Sequence, residues 1–354
     1  MDRYIGLDAH ASSCTVAVVG PSGRHLQSQV IETNAQALIN FLLAIPGNRH
    51  LCTEEGSLAN WLFEVLSPHV KDMVVTRVQG QRGPKEPKSD KSDAFGLAEM
   101  LRIGAIKTRV YKEKAHFGRL AELSRAYTVL INDLVRLKNR IKGLFRSRGV
   151  AVGGVGVYSP RSRDDWLREL PIKARFRAEL LNQQYDALTE LRPVAEKEML
   201  GEARKHAIFR VLRTCPGIGD IRTAQMLPIV VTPYRFANKR SFWAYCGLAV
   251  VMRTSSDWVR THEGNWVRAP VLKTRGLTRN CNRPLKAIFK GAATTVIRCA
   301  KETDPLYSHY RKLLDGDTKP NLAKLTLARQ IASIILSMWR SGEVYDPRRL
   351  KQQT

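Results

Sequence analysis

The stretch Lys88-Ser89-Asp90-Lys91-Ser92-Asp93-Ala94-Phe95-Gly96-Leu97-Ala98-Glu99-Met100-Leu101 reads as a Lys-rich loop running into a helix. Ser89 is the expected N-cap, because its hydroxyl can accept from a first-turn amide that has no partner within the helix. Asp90 and Asp93 then stand three residues apart on one helix face. Carboxylates at that spacing can share one hard cation, or hold one each of a pair about 3.5–4 Å apart. The plainer reading is that they offset the positive end of the helix dipole. The surrounding chain decides between the two.

Upstream, residues 3–32 alternate in the manner of strands: Arg3 to Asp8, Cys14 to Val19, and a third strand after the Pro21-Ser22-Gly23 turn. Asp8 therefore ends a strand that carries Tyr4, Ile5 and Leu7. A carboxylate there is either capped by local amides or used for chemistry. Thr33 or Asn34 caps a helix bearing Leu38, Phe41 and Leu42, which Pro46-Gly47 ends. Leu51 to Glu54 is a short strand leading into a helix with Leu58, Trp61, Leu62, Val65 and Leu66, and Glu54 and Glu55 mark the junction. Met73 to Val78 is another strand, and Gln79 to Pro87 is a polar Gly/Pro loop. Three strands followed by alternating helices and strands describe an α/β layer fold with a mixed sheet. Ligand sites in such sheets gather at strand carboxyl ends. Asp8 and Glu54 lie at such ends, and the helix opening with Asp90 and Asp93 can pack beside them. Four converging carboxylates repel unless cations neutralise them. Mg²⁺, which favours oxygen ligands together with substrate phosphate, suits that place.

Such an acidic cluster is informative because the chain is otherwise strongly basic. Its 354 residues include 58 Lys and Arg against 32 acidic residues, a formal charge of +26. Phosphate polyanions are the natural partner, since each contact releases condensed counterions. An anionic membrane surface competes poorly as an explanation, because the basic residues are spread along the chain and no long apolar run or signal peptide accompanies them. The six cysteines are widely spaced with no CxxC pair, as in a cytoplasmic protein with reduced, mostly buried thiols, and they argue against a zinc site.

Beyond Gly118 the pattern changes to a seam of Leu120, Leu123, Tyr127, Leu130, Leu134, Leu137, Ile141 and Leu144, spaced alternately by three and four. Basic residues flank it, so a coiled coil is the expectation, pairing either with a later helix at about Lys173 to Lys205 or with a second protomer. Cys215-Pro216-Gly217-Ile218-Gly219-Asp220 then resembles the turn of a helix-hairpin-helix, in which Gly217 and Gly219 let backbone N–H groups approach phosphate. Further on, Arg260, Arg268, Lys273, Arg275 and Arg279 form a basic run interleaved with Trp258 and Trp266. Tryptophan stacking on bases combined with guanidinium contacts to phosphate suits nucleic acid, although the two rings could equally belong to a core. A final helix, Leu322 to Trp339, packs or caps this segment.

Ile5-Gly6-Leu7-Asp8, Cys52-Thr53-Glu54-Glu55-Gly56 and Lys88-Ser89-Asp90-Lys91-Ser92-Asp93-Ala94 together resemble the signature of DEDD-type insertion-sequence transposases. This is the Piv-like group, whose N-terminal domain is RuvC-like with a ribonuclease H fold. The resemblance implies an acidic tetrad of Asp8, Glu54, Asp90 and Asp93, with adjacent Glu55 as the alternative to Glu54, holding two Mg²⁺ ions per site. It also implies a nucleophilic serine eight residues after the glycine of a Gly-Leu strand. Counted from Gly247 this is Ser255, with Ser256 as the alternative because the family's following glycine is missing here. On the residues alone, Ser255-Ser256-Asp257 would be only a turn. The family further implies a covalent phosphoserine, double-stranded donor and target DNA, and a structured noncoding guide RNA encoded by the element. A homo-oligomer, dimer or tetramer, would build each composite site from two protomers.

The resulting expectation is a RuvC-like α/β domain over residues 1–112, a helical coiled-coil spacer over 113–205 and a mainly α transposase domain over 206–354 with the helix-hairpin-helix and the serine. From the residues alone the chemistry is metal-assisted phosphoryl transfer on nucleic acid. Two competing functions stay open at this point: a RuvC-like structure-specific endonuclease without covalent strand exchange, and a non-catalytic RNA-binding assembly protein.

Overall fold

The computed structural model describes residues 1–77, 89–106, 108–110, 117–251, 258–268 and 276–348. The chain divides into two compact units, Met1–His116 and Phe117–Thr354.

The first unit is built on a six-stranded sheet. In chain order its strands are β1 (Asp2–Ala9), β2 (Ser13–Val19), β3 (His25–Glu32), β4 (Asn48–Glu54), β5 (Asp72–Thr76) and β6 (Arg109–Val110), and across the sheet they run β3-β2-β1-β4-β5-β6. The first three form an antiparallel meander, β1, β4 and β5 are mutually parallel, and β6 returns antiparallel. The sheet is therefore mixed, and α1 (Ala35–Ala44), α2 (Ala59–Leu66) and α3 (Asp90–Arg102) cover it. Asn34 caps α1, its side chain accepting from the amides of Gln36 and Ala37.

The two faces of β1 serve different helices. Ile5 and Leu7 join Leu51, Leu38, Leu42, Leu62 and Leu66 in one buried cluster, so α1 and α2 lie on that face. Gly6 points the other way, and a Cβ there would stand 1.9 Å from the Ala94 carbonyl oxygen and 2.7 Å from the Ala98 nitrogen. No Cβ tolerates such distances, so α3 lies on β1 only because residue 6 lacks one.

The second unit is mainly helical. Its helices are α4 (Gly118–Arg146), α5 (Arg163–Arg168), α6 (Ile172–Ala203), α7 (Ala207–Leu212), α8 (Gly219–Val230), α9 (Lys239–Tyr245), α10 (Arg283–Cys299), α11 (Pro305–Asp315) and α12 (Pro320–Ser341). A hairpin of β7 (Trp258–Arg260) and β8 (Trp266–Arg268) stands between α9 and α10. The α4 seam is buried within the chain. Leu137, Ile141, Leu144 and Phe145 pack with Ala174, Ala178 and Leu181 of α6, and the Tyr127 hydroxyl lies 3.3 Å from Glu196. The two helices thus run antiparallel, which answers the question of the seam's partner. A larger core joins the rest, with Leu327, Ala328, Ile331 and Ile335 of α12 against Leu285, Phe289 and Val296 of α10. Among the described residues no helix is long and apolar enough to cross a membrane.

Candidate metal centre and nucleic-acid interface

The site begins with the cap of α3. The Ser89 side chain accepts from the Ser92 amide at 3.1 Å, and the Ser92 hydroxyl faces the Ser89 amide at 3.3 Å, a reciprocal capping box. That cap fixes Asp90 as the first helical residue, with Asp93 one turn on. Since α3 lies against Gly6, its first turn comes beside Asp8, two residues further along β1 and on the same face.

One ligand atom each from Asp8, His10 and Asp90 lies within 4.8 Å of the others. His10 Nε2 is 3.4 Å from Asp8 Oδ2 and 3.5 Å from Asp90 Oδ2. Burial raises the Asp8 carboxyl above its ordinary pKa; the His10 charge opposes this, while those of Asp90 and Asp93 add to it. Asp93 is therefore electrostatically in reach of Asp8, although it stands outside the three-residue group.

Glu54 closes β4, one residue past the last register pair, Leu7 with Thr53. Because Gly6 pairs with Cys52, Asp8 and Glu54 share the α3 face of neighbouring strands. Glu54 too is outside the three-residue group, and its side chain is exposed. Adjacent Glu55 is differently occupied: its carboxylate pairs with Arg77 and its amide donates to the Thr76 carbonyl. His10, the member that the tetrad pattern passes over, stands one residue past the end of β1 and joins the group where α3 brings Asp90 to it.

This donor set suits a divalent cation. Two carboxylate oxygens and an imidazole nitrogen are ordinary ligands, and gaps of 3.4 and 3.5 Å approach the roughly 3 Å separating adjacent donors around an ion with bonds of about 2.1 Å.

The second unit carries the other expected residues. Ser255, Ser256, Lys273 and Arg275 lie outside the described residues. Gly247 and Leu248 close the end of α9, their amides donating to Ala244 and Trp243, and so do not form the strand the family pattern implied. Beyond them, Val250 bridges Leu277, and backbone bonds join Val251 to Gly276 and Thr278 to Ala249. Both ends of the segment that includes Ser255 and the hairpin are anchored there.

On the hairpin, the backbone register pairs Trp258 with Arg268 and Trp266 with Arg260, so Trp258, Trp266 and Arg260 share one face while Val259 and Val267 occupy the other. Trp258 is 58% exposed and Trp266 64%, which removes them from any core. Arg260 and Arg279 are exposed as well.

The Pro-Gly-Ile-Gly turn has a packing role. A Cβ on Gly217 would meet the Ala292 carbonyl oxygen at 2.5 Å, whereas Gly219 faces open space. Asp220, in the first turn of α8, pairs with Arg213 at 2.6 Å and Arg204 at 3.6 Å.

Carboxylates gathered at the carboxyl end of an interior strand in a chain of charge +26 fit one class, an enzyme of nucleic-acid phosphate chemistry. The comparisons narrow this to a family. Residues 5–148 match the DEDD transposase family of the IS110 type, and residues 209–308 match the transposase family IS116/IS110/IS902. The chain belongs to the DEDD-type IS110-family transposases of insertion sequences, and it is an enzyme acting on DNA. Family membership implies use of a divalent metal. No curated protein matches the chain.

Proposed function

We propose that the protein is a Mg²⁺-dependent recombinase that joins DNA strands through a covalent phosphoserine. The observation that carries this reading is the meeting of Asp8 and Asp90 donor atoms within 4.8 Å at one end of β1. We read the first unit as RuvC-like with a ribonuclease H fold, supported by its mixed sheet and by the acidic residues at its strand ends. Asp8, Glu54, Asp90 and Asp93 are its metal ligands, two ions per site, and the pairing of Glu55 with Arg77 favours Glu54 as the glutamate. Bound there, Mg²⁺ supplies charge neutralisation at the phosphate and at the attacking and leaving oxygens.

Ser255 is the nucleophile. Its Oγ bonds to phosphorus as one bond between phosphorus and a deoxyribose oxygen breaks; the serine proton leaves to a base and the departing oxygen gains one. One phosphoester replaces another, so strand joining can run in reverse without an energy source. A structured noncoding RNA selects donor and target by pairing, and the basic surfaces hold backbone. We take α4 and α6 as a coiled-coil spacer and the active form as a homo-oligomer whose composite site joins the acidic residues of one protomer with the serine of another. Outward-facing Ile172, Phe176, Leu180, Leu191 and Val194 on α6 favour such assembly.

The test is a denaturing gel after incubation with DNA, guide RNA and Mg²⁺. Wild type is expected to retain covalently attached DNA, and Ser255→Ala none. Cleaved ends without an adduct would identify a nuclease instead.

Arg260, Arg268, Lys273, Arg275 and Arg279 form the nucleic-acid surface in this reading, and Gly219 is the position of the helix-hairpin-helix turn that can approach phosphate. Trp266→Ala should weaken binding to single-stranded DNA by about 5- to 100-fold, the worth of one stacked base. Unfolding should be unchanged, because the ring is 64% exposed. Fluorescence anisotropy measures this, and equal affinities would remove the hairpin from the interface.

A further inference from the structure

We propose that His10 is a ligand of the divalent ion held at Asp8 and Asp90, making a mixed nitrogen–oxygen centre whose affinity for Mn²⁺ exceeds that for Mg²⁺. The inference rests on the reading of this site as a metal centre and adds a residue outside the acidic tetrad. Its first support is position. His10 Nε2 lies between the two carboxylates, 3.4 Å from Asp8 Oδ2 and 3.5 Å from Asp90 Oδ2. An ion about 2.1 Å from each of three ligands separates adjacent donors by about 3 Å and opposite ones by about 4.2 Å. Both gaps from His10 fall inside that range, and the Asp8 and Asp90 donor atoms lie within 4.8 Å of each other.

The second support is the fixed backbone. The His10 amide donates to the Ser13 carbonyl at 2.9 Å, and its carbonyl accepts from the Thr33 hydroxyl at 2.8 Å. The imidazole thus projects from a turn held on both sides. Its side chain is 54% exposed, so core packing does not account for its place.

Chemistry then sets the selectivity. Mg²⁺ holds to oxygen ligands and keeps several waters, whereas imidazole nitrogen adds affinity for first-row transition ions. A site of carboxylates alone separates Mg²⁺ from Mn²⁺ weakly; one nitrogen tilts it toward Mn²⁺.

The experiment uses the full chain with Mn²⁺ as probe. Pulsed electron paramagnetic resonance reads nitrogen coupled to bound Mn²⁺, and titration of the free-ion signal gives its Kd; Mg²⁺ is measured by competition. Wild type should show ¹⁴N coupling. His10→Ala should lose it and bind Mn²⁺ about tenfold more weakly while the Mg²⁺ Kd moves less than about threefold. His10→Asp, which restores an oxygen donor, should recover binding without the coupling or the Mn²⁺ preference. No coupling in wild type, or coupling and Kd unchanged in His10→Ala, overturns the proposal. If Asp8→Ala still abolishes Mn²⁺ binding in that event, the metal centre stands without His10. If Asp8→Ala binds Mn²⁺ like wild type, the metal centre itself is wrong.

Discussion

Asp8→Asn is expected to reduce recombination by about a thousandfold or more, the loss of roughly 4 kcal/mol of transition-state stabilisation, without lowering stability. The substitution keeps the shape of the side chain and removes the charge that a cation requires. Its effect on folding runs the opposite way. Burial raises the Asp8 pKa in the folded protein, and Asp90 and Asp93 add to the shift, so the folded state binds this proton more tightly than the unfolded chain does. The contribution of Asp8 to stability is therefore present below its unfolded pKa and lost as pH rises through the raised folded value. At neutral pH the carboxylate is a cost, which the amide relieves. Asp8→Asn should accordingly melt at or above the wild-type temperature while strand exchange fails. A recombination assay on a plasmid substrate together with a thermal melt measures both. Retained activity would remove Asp8 from the chemistry; lost activity with a lowered melting point would assign it to the fold instead.

That opposition marks what was legible in the sequence. Local features were: the Ser89 cap, the strand carrying Asp8 and the junction at Glu54 depend on near neighbours, and the strand runs one residue further at each end than its spacing placed it. Features made by distant chain segments were not. His10 acquires its place only because α3 brings Asp90 to it, and no spacing rule links residues 10 and 90. Gly217 looked like a turn glycine for phosphate approach, and its left-handed φ of 80° fits a turn. Its closest neighbour, however, is the Ala292 backbone, which no local pattern could reveal. The two tryptophans were undecided because strands of three residues are too short for alternation to show a face; the register and the exposure decide it. The α4 seam showed that a partner was needed, and only folding shows that α6 is that partner.

The same reasoning predicts that the smallest substitution in the first unit is among the most damaging. Gly6→Ala should destabilise that unit by about 3 kcal/mol or more, lowering its melting temperature by roughly 10 °C or more. The new methyl would sit 1.9 Å from the Ala94 carbonyl oxygen, and that neighbour is helix backbone with no rotamer to change. Nor can β1 retreat, because Gly6 is paired with Ala17 of β2 on one side and Cys52 of β4 on the other. The strain must lift α3, opening the contact that buries Ala94, Leu97 and Ala98. As α3 moves, Asp90 and Asp93 leave Asp8, so divalent-ion affinity should fall with stability although no ligand has changed. Gly96 on the same helix supplies the control, since a Cβ there meets nothing within 4 Å. In Gly96→Ala, replacing a helical glycine should stabilise the unit by about 0.5–1 kcal/mol, with metal binding untouched. Denaturant unfolding and Mn²⁺ titration of the two variants measure the contrast. If Gly6→Ala unfolds at the wild-type midpoint, α3 does not rest on β1 as described, and the juxtaposition of Asp8 with Asp90 loses its structural cause.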